Sequence, residues 1–118
     1  MTSVKKLAGA NLKIGDTSPA LRLQLLRDDD QPKHLSSSNV FIRLKHSNDN
    51  SLTLSDVDVS IVNESNGIVE YEWSDTDIDT VGTYDGEIMV ENQETNVTET
   101  FPNRGTFVVR VQNRLGDT

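Results

Sequence analysis

Tyr84-Asp85-Gly86-Glu87-Ile88-Met89-Val90 decides the fold class, because Tyr84, Gly86, Ile88 and Val90 alternate with Asp85, Glu87 and Met89. A period of two with charged intervening positions puts one set of side chains on a dry face and the other on a wet face, the pattern of a half-buried strand. The same rhythm recurs outward along the chain. Leu21, Leu23 and Leu25 alternate with Arg22, Gln24 and Leu26, and Val40, Ile42 and Leu44 with Phe41, Arg43 and Lys45. Val57, Val59 and Ile61 are separated by Asp58 and Ser60, Val69, Tyr71 and Trp73 by Glu70 and Glu72. Phe107, Val109 and Val111 flank Val108 and Arg110.

Clusters of turn formers separate these runs: Asp28 to Pro32, His46 to Ser51, Asn63 to Gly67 and Asn103 to Gly105. Short alternating strands with turn signals between them predict an all-β fold, an antiparallel β-sandwich of about seven strands over residues 14–112. The Asn66-Gly67 pair predicts a primed-turn hairpin between a strand ending near Val62 and one starting at Ile68. Residues 74–81, with Ser74 to cap and Gly82 to stop, predict one short helical turn. Residues 1–13 are less regular, since Lys5, Lys6, Gly9, Asn11 and Lys13 interrupt the apolar positions. They read either as a first strand or as an N-terminal arm ordered on assembly through Val4, Leu7, Leu12 and Ile14. On the second reading, deleting residues 1–13 leaves the isolated fold stable. Residues 113–118 read as a frayed C-terminus.

Leu, Ile, Val and Phe make up 32 of the 118 residues, about 27%, which exceeds the roughly 20% below which charged chains stay disordered. The length suits one domain with a single core. Nineteen acidic against eleven basic side chains give a net charge of −8. That surface repels phosphate backbones and anionic lipid, so nucleic acid is not an expected partner. The absence of cysteine excludes disulfides, thiol nucleophiles and Cys-containing metal sites. No apolar run approaches the roughly 18 residues of a membrane helix, so membrane insertion is not expected. The first ten residues carry a basic pair without an apolar stretch after it, which does not read as a secretory signal and predicts synthesis in the cytoplasm.

Candidates for chemistry are few. His34 and His46 fall in polar turn segments, where solvated histidines are the plainer reading. Ser36, Ser37 and Ser38 lack the glycine-flanked elbow of a nucleophilic serine, and the seven glycines are too dispersed to cradle a phosphate. Asp75, Asp77 and Asp79 occupy positions 1, 3 and 5 of an EF-hand-like loop, but Thr80 and Gly86 stand where glycine and a bidentate glutamate are required. They remain weak metal candidates beside the plainer reading of a solvated acidic turn, as does the Asp28–Asp30 run. Asn63-Glu64-Ser65 and Asn96-Val97-Thr98 match glycosylation acceptors, a triplet common by chance. Tyr71, Trp73 and Tyr84 read as core anchors in preference to a sugar-stacking platform. With no nucleophile–base constellation, no enzyme and no cofactor are expected. A carbohydrate- or cell-surface-binding module, calcium-assisted through the three aspartates, is the alternative reading.

Ile14 to Thr17, Leu25 to Leu35 and Val40 to Leu44 resemble the opening of the immunoglobulin-like N-terminal domain of tailed-phage upper baseplate proteins, the BppU family. Asn66 to Trp73, Asp77 with Gly82-Thr83-Tyr84, Glu87 to Val90 and Thr100 to Asn103 resemble its later half. Asp30 and Asn96 stand where the family has turn glycines, and Asx residues are the best substitutes for a left-handed conformation. His34 and Ser36–Ser38 replace family-typical Asp and Thr-Gly-Ala positions. The resemblance implies a structural virion protein of baseplate, tail or head. It implies a symmetric assembly with copies of itself and other virion proteins, made in the host cytoplasm, with host-surface contact open and no catalytic residues to transfer.

Overall fold

A computed structural model describes residues 2–48, 52–74 and 76–115. The alternating runs form strands wherever their dry faces can meet. In chain order they are β1 (Ser3–Ala8), β2 (Asn11–Lys13), β3 (Leu21–Leu26), β4 (Ser38–His46), β5 (Leu52–Asp58), β6 (Ser60–Asn63), β7 (Ile68–Tyr71), β8 (Gly82–Asn92), β9 (Thr98–Phe101) and β10 (Phe107–Gln112). One sheet has the order β1-β3-β7-β6, and the other the order β2-β10-β8-β4-β5 with β9 also paired to β8. β10 runs along Gly82–Gly86 of β8 and β9 along Ile88–Glu91, so the two follow one another on the same side of β8. β2 joins β10 in parallel, while the remaining pairs are antiparallel. This is the immunoglobulin arrangement of strands A, B, E and D facing strands C, F and G.

Leu21, Leu23 and Leu25 of β3 and Val69 of β7 face Ile42, Leu44, Ile88 and Val109 of the opposite sheet, all buried. Each fully buried aliphatic side chain contributes roughly 1.5–3 kcal/mol over leaving it in water. Gly86 lies opposite Phe107 in the register, and the ring of Phe107 covers the place where a Cβ would stand. Tyr84, near the start of β8, donates its hydroxyl to the carbonyl of Thr80 four residues upstream at 2.7 Å. That is the tyrosine corner of immunoglobulin-like sandwiches. Burial raises the pKa of this phenol.

Four expectations gain detail or change. First, there are ten described strands rather than about seven, because β1, β2 and β9 lie outside the alternating runs and the run Val57–Ile61 is not one strand. The chain crosses between sheets at Val59, whose N–H donates to the carbonyl of Val40, leaving β5 and β6 as edges of different sheets. Second, of the two readings of the first residues, a first strand is the one that matches β1 and β2. β1 pairs with β3, and at Gly9-Ala10 the chain changes sheets to enter β2. The indole N–H of Trp73 donates to the Gly9 carbonyl at 3.1 Å, and the Thr2 hydroxyl accepts the N–H of Asn103 at 2.8 Å. Loss of residues 1–13 would therefore open the core. Third, the Asn66-Gly67 hairpin forms between β6 and β7, but through a four-residue turn in which Gly67 alone has a positive φ, 67°. Fourth, no helix occurs among the described residues. Residues 76–78 are in a turn, with the Asp77 N–H donating to the Ser74 carbonyl at 3.0 Å.

Candidate functional site

The residues singled out for chemistry do not converge. His34 is exposed in the loop after β3. His46 ends β4 and is not a solvated turn residue, as expected above. Its ring meets that of Tyr84 edge-on at 4.9 Å. Its Nδ1 accepts the N–H of Asn48 at 3.2 Å, leaving Nε2 to donate to the Val81 carbonyl at 3.0 Å. Both ring nitrogens are committed to backbone. Ser36 and Ser37 lie in the approach to β4, which Ser38 opens, and the Ser37 hydroxyl donates to Glu94.

Asp75 lies outside the described residues. The Asp77 carboxylate accepts the Tyr71 hydroxyl at 2.6 Å and the Ser74 N–H at 2.7 Å, and Asp79 accepts the Thr80 hydroxyl. Burial first, and then the bond to Asp77, push the Tyr71 phenol well above its ordinary pKa. Trp73 and Tyr84 are buried and Tyr71 is half-buried, its ring meeting Trp73 edge-on at 5.3 Å. Their faces are engaged in packing. Among the described residues, no group of three His, Asp or Glu side chains is arranged to hold a metal ion. No helix among them is long and apolar enough to cross a membrane.

The assembly residues separate in space. Leu12 is buried and Val4 and Ile14 pack on the core, whereas Leu7 is exposed on β1. What the fold presents outward is strand edges and the outer faces of the two sheets. The edge strand β1 carries Lys5 and Lys6, a charge pattern that discourages pairing with another chain. The edge strand β6 carries no charge, and its Ile61 and Val62 are exposed. On the outer face of the larger sheet, the register sets Lys45 opposite Asp85 and Arg43 opposite Glu87. Arg43 also forks onto Asp56 of β5 at 2.6 and 3.2 Å, which lowers the Asp56 pKa. One step further along, Phe41 lies opposite Met89 on one side and Asp58 on the other. Phe41 and Met89, Asp56, Glu91 and Thr98 line a groove of about 270 Å³. Sequence reasoning passed over this pair, though the signal was present: an aromatic and a methionine at the wet phase of two alternating strands.

A family model described as the BppU N-terminal domain matches residues 4–114. No curated protein matches the chain. Among solved structures, the chain is similar to the Lin-41 filamin domain at 17% identity and a TM-score of 0.53. That likeness covers 96% of this chain and 93% of the other. At such identity it speaks to the fold alone, an immunoglobulin-like sandwich.

Proposed function

Because this chain belongs to the family of BppU N-terminal domains of phage baseplate proteins, we propose that it is a tailed-phage structural protein that joins neighbouring virion subunits. The family implies a virion component that contacts other virion proteins and works without catalysis. The observation that carries the reading is the span of the match, residues 4–114, which takes in both sheets and, Ser3 apart, all ten described strands. The mechanism follows from what such a sandwich offers: outward strand edges supply backbone donors and acceptors, and an outward sheet face supplies side-chain contacts. Symmetric assemblies repeat one such contact many times, so modest individual contacts suffice. The baseplate is the station the family favours, and the domain there would hold receptor-binding parts in place.

Electron microscopy of particles made with and without the chain tests this. Particles lacking it should show reduced density at the tail tip and lose infectivity, with both restored by supplying the chain in trans. Normal tails and full infectivity without it would overturn the proposal.

A further inference from the structure

We infer that the groove around Phe41 and Met89 on the outer face of the larger sheet binds an extended segment of another polypeptide, one that presents an apolar side chain flanked by lysine or arginine. Outward positions of β4 and β8 otherwise carry Asn39, Arg43, Lys45, Asp85, Glu87 and Glu91. Two large apolar side chains directly opposite each other, in a concavity, depart from that pattern. Half-buried at the floor of a groove with a polar rim, the pair offers an apolar seat of one side chain's size.

The rim identifies the occupant. Asp56 and Glu91 line the groove, Asp58 lies opposite Phe41, and Glu87 is two residues along β8 from Met89. These four carboxylates stand against the guanidinium of Arg43, which Asp56 already holds. A second copy of this chain, with its charge of −8, would bring like charge to that rim. A basic segment brings the opposite charge, and its apolar residue fits between Phe41 and Met89. The interaction should therefore weaken with salt, since the rim is exposed and screened. The inference rests on this face alone and holds whichever station the chain occupies.

The test is a titration of the isotope-labelled full chain, followed by amide chemical shifts, with a nine-residue peptide alternating lysine and threonine about a central leucine. The expected result is saturable binding with shifts confined to Phe41, Asp56, Asp58, Met89, Glu91 and Thr98. A matching peptide with glutamate for lysine should bind at least tenfold more weakly. The double variant Asp58→Lys, Glu91→Lys, at exposed positions, should lose at least tenfold for the lysine peptide while its spectrum stays dispersed. Phe41→Ser should do the same, and Met89→Thr provides a second apolar test if Phe41→Ser does not fold. Equal binding of the two peptides, shifts elsewhere on the molecule, or no saturation with the lysine peptide would overturn the inference.

Discussion

Replacing Gly9 with alanine tests whether the first residues are part of the sandwich. Gly9 has φ of 77°, and a Cβ built there would lie 2.2 Å from the carbonyl oxygen of Ala20 and 2.7 Å from Cα of Leu21. Both neighbours are backbone, so no side chain can rotate away. The left-handed conformation costs an L-residue about 1–2 kcal/mol. Moving the backbone into a packed region costs about 1–3 kcal/mol. The displacement also threatens the Trp73 N–H bond to the Gly9 carbonyl, worth about 1 kcal/mol. Together these predict a loss of about 3–6 kcal/mol, or a fall in Tm of about 10–25 °C. Trp73 is the single tryptophan, so urea unfolding followed by its fluorescence reports on this junction. The midpoint should fall by about 2 M. If residues 1–13 were a loose arm in the isolated chain, the same substitution would be neutral or stabilising by up to about 1 kcal/mol, through the unfolded state. A change within about 0.5 kcal/mol of zero, or a gain, would refute the reasoning.

Tyr84→Phe removes the bond to the Thr80 carbonyl and should cost about 1–2 kcal/mol in chemical denaturation; an unchanged midpoint would show that the tyrosine corner contributes nothing. Ser37 has φ of 53°, so Ser37→Gly should be more stable than Ser37→Val by about 1–2 kcal/mol in paired urea melts. The Tyr71 phenol is raised in the folded state. Its stabilising contribution is complete below its ordinary pKa near 10 and is lost as pH climbs beyond it. The wild type should therefore lose stability between pH about 10 and 12 more steeply than Tyr71→Phe, which parallel denaturation series would show; superimposable curves would contradict it. Thermal melts with calcium and with chelator should agree within about 1 °C, because Asp77 is already bonded to Tyr71 and Ser74; a rise with calcium would restore the metal reading.

Much of the architecture was legible because burial imposes alternation. β3, β4, β8 and β10 each have a dry face readable from the chain, and those faces form the core. The two turn substitutions were legible too: Asp30 and Asn96, read as stand-ins for glycine, have φ of 63° and 58°. Alternation failed where it could not report a change of sheet. Val57, Val59 and Ile61 keep period two across the crossover, since a strand leaving one edge sheet for another preserves its inward and outward phase. The Gly9-Ala10 switch was hidden for a different reason. β2 is three residues long, too short for a pattern, and the need for glycine comes from Ala20, which is distant in the chain. His46 was read as a turn residue because its partners, Val81 and Tyr84, are supplied by tertiary packing. The groove at Phe41 and Met89 required the register of β4 against β8, which no single strand reveals.

Mass spectrometry of gradient-purified phage particles tests the central claim, membership of the virion, most directly. The chain should be recovered in a fixed ratio to the tail proteins through successive gradients and salt washes. Recovery only from the soluble lysate, with none in the particle band, would contradict the account.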